Sequence, residues 1–356
     1  MKYEILKLIN QPIFSTIQDE GRIGFEQFGV PNSGSGDKLS FRLGNLLMNN
    51  NISDASIEIL YGNISFECLN DTQICITGSD MSPRLNGMPI KMWQIVNIYK
   101  GDKIDLGSSK NGLRSYISVK KGIEIDEILD SKSTHSIFNL GGKKLNMGDI
   151  ISSSSIHKKN NLKKINYLRN IPDFNETENL LHVTKGPEFS LLSDKSIKII
   201  ENNKFRLSNR MSRTGAQIEG EKLETRNGKS DIISDGVSAG TIQLPKDGNM
   251  YVLLEDSQRI GGYARILNFD TLSLWKIAQL KPGDEFKLKI ISIEEAHKRL
   301  NNNNNIFFKN NVYTEEKLKE NIFYIEGEEI NVKIFGENNE LIYVNNKPLK
   351  IDFWQQ

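Results

Sequence analysis

Residues 16–45 concentrate the side chains and glycines that proteins use to bind small anions. Asp19 and Arg22 are close enough in a turn to pair, and the planar fork of Arg22 suits a carboxylate or a phosphate. Ser33-Gly34-Ser35-Gly36 can turn several backbone N–H groups inward just before a helix that begins near Asp37. The pattern predicts an anion-binding loop; the alternative is an arginine that only ties down a glycine-rich surface loop.

Two later segments add polar groups of the same kind. Arg213 lies between Ser212 and Gly215, which fits anion recognition but also an ordinary surface ion pair. Asp256 and Gln258 follow an apolar strand and precede Gly261-Gly262, where the backbone can approach a ligand closely. Asp256 could act as a base or orient a substrate, and Gln258 could bond a substrate amide in both directions. The alternative is a strand end followed by a hairpin turn.

The sequence lacks the signatures of several large enzyme classes. It has no phosphate loop of the Gly-x-x-x-x-Gly-Lys-Ser/Thr type, no Gly-x-Gly-x-x-Gly and no His-Glu-x-x-His. Its four histidines are widely spaced, and the apolar neighbours of Cys68 and Cys75 predict buried thiols. We therefore expect no metal site, and a loop site made of carboxylate, arginine and amide groups remains.

Composition narrows the class of partner. The 356 residues carry a net charge of +1, which argues against broad attraction to nucleic acid or to a membrane surface. The basic cluster at 157–164 stands among Ser and Asn and is typical of a solvated linker. No segment approaches the roughly 20 apolar residues of a membrane span, so we expect a soluble, cytoplasmic protein.

The elements that would position these groups are mostly strands. Short β-rich runs flanked by Gly, Asn, Asp or Pro recur along the chain, which is typical of a barrel or sandwich. Apolar residues at helical spacing predict short helices at 37–49, capped by Asp37 or Ser35, and at about 270–280. Gly-Asp precedes alternating apolar residues near 101, 148 and 283, a weak echo that permits two related barrels.

Changes in composition predict three segments. Residues 152–181 turn polar and irregular, so we place a first subdomain at 1–165 and a second, barrel subdomain at 166–296. Residues 297–356 would form an Asn-rich flexible linker, centred on Asn301–Asn305, and a small β extension.

Taken together, the motifs resemble the biotin-dependent carboxyltransferase-like family. That family includes the C subunit of 5-oxoprolinase, the Kip-type antagonist, allophanate hydrolase subunit 2 and part of urea carboxylase. The matching segments extend over about residues 3–293 in the family's order, and they are Gln18 to Arg22, Gly29 to Asp37, Asn45, Glu58, Thr77-Gly78, Ser131 to Thr134, Gly141-Gly142, Ser212 to Gly215, Gly236 to Gln243 and Asp256 to Tyr263. Departures from the family pattern stand at Ile23, Ser35-Gly36, Gln217 and Ala264.

The resemblance implies a fold of two cyclophilin-like β-barrel units with a few short helices. It also implies the C subunit of an ATP-dependent 5-oxoprolinase, an amidohydrolase that opens 5-oxo-L-proline to L-glutamate. Its partners would be a lactam-hydrolase-type A subunit, together with a Kip-inhibitor-like B subunit. ATP would be used by the assembly, and this chain would carry no covalent biotin because it lacks a Met-Lys-Met site.

The same resemblance suggests roles for individual residues. Arg22 and Arg213 would hold a substrate carboxylate or a phosphoryl group, amides near Ser33 to Gly36 would stabilise negative charge, and Asp256 and Gln258 would orient the lactam or a water. The predicted catalytic residues are Asp256, Gln258 and Arg22. The predicted substrate- or anion-binding residues are Asp19, Ser33, Gly34, Asp37, Asn45, Glu58, Ser212, Arg213, Gln243, Gly261, Gly262 and Tyr263.

Two other functions stay open at this point. One is carboxyl transfer from carboxybiotin to urea or a similar amide, which would need a biotin carboxylase and a biotinylated carrier. The other is a non-catalytic regulator that binds and neutralises a kinase-inhibiting partner.

Overall fold

A computed structural model describes residues 2–156, 164–168, 170–173, 179–309, 311–325, 328–335, 341–345 and 347–349. Strands take up 42% of the structure and helices 15%, which confirms the mostly β prediction. The basic cluster at 157–164 lies outside the described residues except for Lys164. No helix of the described segments is both long and apolar enough to cross a bilayer.

The first unit is a pair of antiparallel sheets around one apolar core. Its strands are β1 (Tyr3–Leu8), β2 (Phe14–Gln18), β3 (Ser56–Leu60), β4 (Gly62–Cys68), β5 (Thr72–Gly78), β6 (Arg84–Leu85), β7 (Met88–Pro89), β8 (Ile95–Ile98), β9 (Lys103–Ser108), β10 (Arg114–Val119) and β11 (Ile150–Ser153). The sheets run β11-β1-β4-β9-β6-β7 and β2-β3-β10-β5-β8. Helix α1 (Lys38–Leu47) begins at Asp37, whose carboxylate accepts a hydrogen bond from the Ser40 amide, as the sequence predicts.

The second unit is a closed barrel. After β12 (Lys164–Leu168) come its strands and helices: β13 (Asn179–Lys185), α2 (Asp194–Asn202), β14 (Lys204–Met211), β15 (Gly215–Glu219), β16 (Asp231–Gly236), β17 (Thr241–Leu244), β18 (Met250–Leu253), β19 (Ile260–Phe269), α3 (Thr271–Ile277) and β20 (Glu285–Ile290). The order β13-β20-β14-β15-β18-β17-β19 closes because β13 also pairs with β19. Strand β16 pairs with β19 outside this ring.

The three Gly-Asp sequences near residues 101, 148 and 283 form the same kind of turn. Gly101, Gly148 and Gly283 all have positive φ, between 87° and 90°. In each case the following aspartate accepts a hydrogen bond from the amide three residues before it, at 2.8–2.9 Å. Each turn leads directly into β9, β11 or β20. A left-handed glycine followed by an Asx cap therefore starts a strand in both units.

The segment predicted as an Asn-rich flexible linker is helical, so that prediction is wrong. Helix α4 (Ile293–Phe307) contains Asn301–Asn305, and Ser292 caps it by accepting from the Glu295 amide. Glu294 and Glu295 lie in the first turn, where the helix dipole favours acidic groups. Phe307 packs against the apolar cluster behind α1. Capping and packing outweigh the poor helix propensity of asparagine.

A third sheet follows α4. Strands β21 (Val312–Ile325), β22 (Glu328–Phe335), β23 (Leu341–Val344) and β24 (Lys347–Leu349) form it together with β12, at the edge beside β21. Tyr343 is buried against the first unit, where its hydroxyl donates to the Ile95 carbonyl at 3.3 Å. Strand β12 spans the boundary predicted between residues 165 and 166 and pairs with this C-terminal sheet. The predicted boundaries themselves stay predictions.

Gln279, just after α3, joins the first unit to the barrel. Its Oε1 accepts from the amides of Leu113 and Arg114 at 3.0 and 2.9 Å. Its Nε2 donates to Asp37 Oδ2 at 2.7 Å and to the Arg114 carbonyl at 3.0 Å. The side chain is 4% exposed and makes all four of its hydrogen bonds across the join.

We expect Gln279→Ala to lower the free energy of unfolding by about 3 kcal/mol, because two buried amides and a buried carboxylate lose a partner. The measurement is urea unfolding followed by circular dichroism. Gln258→Ala, at an exposed glutamine, is the matched control and should change stability by less than about 0.5 kcal/mol. Equal unfolding midpoints for the two variants would contradict this role of Gln279.

Candidate functional site

Arg213 is the centre of a buried ionic cluster between the two units. It lies in the turn between β14 and β15 and is 3% exposed. Its Nε and Nη2 donate to the two oxygens of Asp256 at 3.1 and 3.2 Å, and its Nη1 donates to Glu58 Oε1 at 2.5 Å. Nη2 also donates to the Gly34 carbonyl. The guanidinium therefore binds a carboxylate of each unit and the loop that carries Gly34.

Glu58, on β3, is the carboxylate of the first unit in this cluster. It is fully buried, and its Oε2 accepts from the Gly36 amide at 2.8 Å and from the Tyr116 hydroxyl at 2.7 Å. Arg114 Nε lies 3.8 Å from Glu58 Oε1. Burial, together with the nearby charge of Glu58, raises the pKa of Tyr116, so this hydroxyl stays a donor.

The loop at 33–37 turns its amides inward, and groups of the protein itself accept their hydrogen bonds. Ser33 and Gly34 have positive φ, 55° and 95°, which turns the chain so that its amides face inward. Each of four amides has an internal acceptor: Ser33 the Glu255 carbonyl, Ser35 the Asp19 carbonyl, Gly36 the Glu58 carboxylate and Asp37 the Tyr116 hydroxyl. Of these four amides, that of Gly36 binds an anion, the internal carboxylate of Glu58.

Asp19 and Arg22 do not form the ion pair that the sequence predicts. Arg22 is fully buried and donates to three main-chain carbonyls, those of Ile128 at 3.1 Å, of Leu140 at 3.2 Å and of Ser133. Asp19 accepts from hydroxyls and amides instead, namely Gly21 N, Ser131 Oγ, Lys132 N and Ser133 Oγ. The two side chains fasten the same loop at 128–140 by different atoms, because carbonyls satisfy a cation and N–H groups satisfy an anion.

Of the other predicted site residues, some are buried and some are exposed. Asp256 is 2% exposed and also accepts from Ser136 N at 3.1 Å and Ser136 Oγ at 2.8 Å. Burial opposes its ionisation, but the Arg213 charge and these hydrogen bonds hold its pKa below the usual range. Gln258 and Ser212 are exposed. Asn45 donates to the Ile52 and Asp54 carbonyls, so it shapes the loop after α1.

A cavity of about 580 Å³ opens beside this cluster. It is lined by two loops and the edge of the barrel, namely Glu26, Gln27, Pro187, Gly236, Val237, Ser238, Thr241, Arg259, Ile260, Arg265 and Asn268. A larger cavity of about 740 Å³ lies near Trp93 and Lys110, and none of the sequence-predicted site residues lines it. None of those residues lines the smaller cavity either, but it is lined by residues of the matching segments Gly236 to Gln243 and Asp256 to Tyr263, namely Gly236, Val237, Ser238, Thr241, Arg259 and Ile260. The larger cavity has only Gly78 of the matching segments in its wall. We therefore take the smaller cavity as the candidate ligand site.

Two buried donors, one on the cavity wall and one behind it next to Gly261, have no hydrogen-bond partner among the described residues. Arg259 is 6% exposed; its Nη2 donates to the Glu255 carbonyl at 3.0 Å, and its Nε has no partner. Gln243 is 3% exposed, and its Nε2 also has none. That atom lies 2.5 Å from where a Cβ on Gly261 would be, next to Val237 of the wall. Gly261 is thus required by the approach of the Gln243 amide.

This arrangement suits a small ligand with oxygen acceptors. Burial lowers the pKa of Arg259, and the charges of Glu26, Glu255 and Asp256 act against that shift. A carboxylate could accept from the Arg259 Nε, and an amide carbonyl could accept from the Gln243 Nε2. Arg265 is held away from such a role by Glu188 and Asp235, at 2.8 and 2.9 Å.

Sequence reasoning missed Arg259, Glu255, Arg114 and Gln279. Arg259 and Glu255 lie in the Leu253 to Arg265 segment, directly beside the predicted residues Asp256 and Gln258. Their charge, so close to predicted site residues, is the sequence signal that points to them. Arg114 begins β10 and Gln279 follows α3, and neither has a local sign of function. Gly262 and Tyr263 lie on β19, the strand that also carries Ile260 of the cavity wall, and Tyr263 is 46% exposed.

Comparison with known proteins identifies the family of the chain. A sequence model described as the carboxyltransferase domain, subdomain A and B, matches residues 28–290. The chain belongs to this carboxyltransferase family. It is 28% identical over 287 residues to the 5-oxoprolinase C subunit of Haemophilus influenzae, covering 80% of this chain and 90% of that protein. It is also 28% identical to the 5-oxoprolinase C subunit of Escherichia coli, covering 83% of this chain and 94% of that protein.

Other relatives are far longer than this carboxyltransferase chain. Urea amidolyase of Saccharomyces cerevisiae is 29% identical over 79% of this chain, which is 16% of that protein. Among solved structures, Kluyveromyces lactis urea amidolyase superposes with a TM-score of 0.79 at 22% identity and covers 99% of this chain and 23% of its own. The solved protein TTHA0988 superposes with a TM-score of 0.71 at 24% identity over 80% of this chain, which spans about half (55%) of that structure. These likenesses show a shared fold.

Glu255 makes the stability of the carboxyltransferase chain depend on pH. Burial raises the pKa of Glu255 to about 7, although the charges of Arg213 and Arg114 act to lower it. An unfolded glutamate titrates near pH 4.3, so the folded state binds the extra proton between these values and stability falls as pH rises toward 7. We expect the parent chain to lose about 2 kcal/mol more than Glu255→Gln between pH 5.5 and 8.5.

Urea unfolding of both proteins across that pH range checks the expectation. Glu221→Gln, at an exposed glutamate, is the control and should follow the parent curve. Parallel curves for the parent and Glu255→Gln would show that Glu255 does not titrate in this range.

Proposed function

We propose that the chain is the C subunit of an ATP-dependent 5-oxoprolinase that converts 5-oxo-L-proline to L-glutamate. The observation that carries the proposal is a cavity lined by Arg259, whose buried Nε has no partner among the described residues, with the likewise unpartnered Gln243 Nε2 behind Gly261. 5-Oxoproline has a carboxylate and a lactam carbonyl, the two acceptors that such donors match. Alignment along 90% and 94% of two proteins named as the C subunit of 5-oxoprolinase supports the same function.

The chain would act within an assembly. In it, ATP would phosphorylate the lactam oxygen, which turns a resonance-stabilised amide into a better electrophile for water. The relatives are named as one subunit of an enzyme, which implies further subunits. We propose that these are of the Kip-inhibitor-like (B) and lactam-hydrolase (A) types, and that the assembly works in the cytoplasm.

The residues of this chain would bind and orient the lactam. Arg259 Nε would hold its carboxylate and Gln243 Nε2 its carbonyl oxygen, while the exposed Gln258 at the same loop could contact the ring amide. The sequence predicts that Arg22, Arg213 and Asp256 touch substrate. Their internal hydrogen bonds favour a positioning role, in which they hold the loops that build the cavity wall.

A second function is supported by the family itself. Carboxyl transfer from carboxybiotin to urea or another amide fits the family description and the likeness to urea amidolyases. The same two donors would then bind a urea oxygen and a carboxyl group. Such a chain would need a biotin carboxylase and a separate biotinylated carrier.

The test is glutamate release from 5-oxoproline by the purified chain combined with its two partner subunits, with and without ATP. We expect Arg259→Gln to raise KM for 5-oxoproline about 30-fold, because a hydrogen bond to a charged group is lost. Arg226→Gln, at an exposed arginine paired with Asp194, is the control and should keep the parent KM.

Two results would contradict the proposal. ATP-dependent release that is absent from a folded, complete set would remove the function, and urea-stimulated loss of carboxybiotin by the same chain would replace it with carboxyl transfer. Parent-like KM in Arg259→Gln would show that the substrate binds elsewhere.

A further inference from the structure

Among the described residues that line the cavity, three carry a charge, and Glu26 is the anion of the three. Arg265 is neutralised by Glu188 and Asp235. Arg259 and Glu26 remain, and they come from different units, because Arg259 belongs to the barrel and Glu26 to the loop after β2. The cavity therefore offers a ligand one cation and one anion.

Glu26 is held in place by hydrogen bonds from its own loop. Its Oε2 accepts from the Gly24 amide and its Oε1 from Asn32 Nδ2, both at 2.8 Å. Hydrogen bonding, first from its own main-chain amide and then from Asn32 and Gly24, lowers the pKa of Glu26, and the charge of Arg259 adds to this effect. A carboxylate offers about four acceptor positions, so oriented positions remain for a donor on a ligand.

A short path of hydrogen bonds fixes Glu26 relative to Arg259. Asn32, which binds Glu26, is followed in the chain by Ser33. The Ser33 amide donates to the Glu255 carbonyl at 3.0 Å, and Arg259 Nη2 donates to the same carbonyl at 3.0 Å. Within the described chain, Arg259 and Glu26 form no ion pair with each other. The two charges stand apart at one cavity, in an arrangement that a ligand can bridge.

This pair of charges matches a ligand in which a carboxylate and a nitrogen are attached to one carbon. 5-Oxoproline is such a ligand, with a ring N–H beside its carboxylate, and so is every α-amino acid. Opening the ring breaks the bond between the carbonyl carbon and the nitrogen. Water supplies an oxygen to that carbon and two protons to the nitrogen, so the neutral N–H becomes the α-ammonium of glutamate. An ammonium donates a stronger hydrogen bond to a carboxylate than a neutral N–H does.

Proton transfer is a weaker explanation of Glu26 than binding. A general base works best when its pKa lies near the operating pH. The pKa of Glu26 lies below its ordinary value, so the group is an anion at neutral pH and a poor base. Its oriented oxygens are suited to accept a hydrogen bond that stays in place.

We propose that Glu26 is the specificity-determining residue of the cavity, whose carboxylate accepts from the ring N–H of 5-oxoproline and from the α-ammonium of glutamate. Arg259 holds the carboxylate that both ligands share. The ligands of the cavity are therefore α-amino acids and their lactams, and glutamate is a competitive inhibitor of its own formation. The inference rests on the proposed function, because that function supplies the two ligands.

The experiment measures binding to the full chain by calorimetry, without ATP or partner subunits. Three probes are used: 5-oxo-L-proline, L-glutamate, and the lactone 5-oxotetrahydrofuran-2-carboxylate, in which an oxygen replaces the ring N–H. The parent chain should bind the lactone at least about 30-fold more weakly than the lactam, because the lactone oxygen faces the Glu26 carboxylate with no proton to donate.

Glu26→Gln should weaken the Kd for glutamate about 10-fold, because the charge opposite the ammonium is lost, and the Kd for 5-oxoproline less than about 3-fold. It should also reduce the preference for the lactam over the lactone to less than about 3-fold, because a glutamine amide can donate to the ring oxygen. A merely structural role of Glu26 would instead weaken the binding of all three probes by the same factor.

Two variants serve as controls. The double variant Glu26→Gln, Gln27→Glu keeps the net charge and moves the carboxylate by one residue along the cavity wall, away from the hydrogen bonds of Gly24 and Asn32. It should bind the probes as Glu26→Gln does. Glu221→Gln, at an exposed glutamate outside the cavity, should keep all three Kd values. Urea unfolding of each variant verifies that it is folded.

Three outcomes would overturn the inference. They are parent-like affinities for the probes in Glu26→Gln, parent-like glutamate binding in the double variant, and no binding of 5-oxoproline or glutamate to the folded parent chain. Glutamate release by the complete assembly tests the proposed function separately. Probe binding that depends on Glu26 without ATP-dependent release would refute only the proposed function, and release with unchanged probe preference in Glu26→Gln would refute only the inference.

Discussion

The ion triple of Arg213 with Glu58 and Asp256 is the interaction on which the rest of the structure depends. Removing three charges from water costs several kcal/mol per ion, so the triple is stable only with near-complete hydrogen bonding. The structure supplies it: Asp256 also accepts from Ser136, Glu58 from Gly36 and Tyr116, and Arg213 also donates to Gly34. These contacts join the loop at 33–37, strand β10 and the segment at Ser136 to the barrel unit through one guanidinium.

The unusual composition of residues 16–45 has its reason in this packing. A Cβ on Gly34 would lie 2.8 Å from the Glu20 carbonyl, at a φ of +95° that other residues avoid. A Cβ on Gly36 would lie 2.9 Å from Arg114 Nε. The loop passes this close where the Gly36 amide reaches Glu58. The two glycines are thus explained by close packing inside the protein.

Particular residues show which features of the structure can be predicted from the sequence and which cannot. The mostly β class, the Asp37 cap, the helix after it and the Gly-Asp turns are local, and each follows from spacing and residue type. Which arginine binds which carboxylate is not local, since Arg213 meets partners 43 and 155 residues away. Arg22 and Arg213 looked free in the sequence because their acceptors are supplied by distant strands and loops. The helix across Asn301–Asn305 was missed for the same reason, since distant packing against the cluster behind α1 stabilises it.

At the join between its two units the chain buries charged side chains and leaves apolar side chains exposed nearby, which is the opposite of the usual arrangement. Charges lie inside the join between its units, while Phe28, Phe138 and Ile260 lie outside, around the cavity. Buried ions give less stability than an apolar join would, but they hold the two units in one register, because a shifted Arg213 would leave two carboxylates unpaired. Exposed apolar rings cost solubility unless something covers them. A fixed register is also what the cavity requires, because Glu26 of the first unit and Arg259 of the barrel both line it.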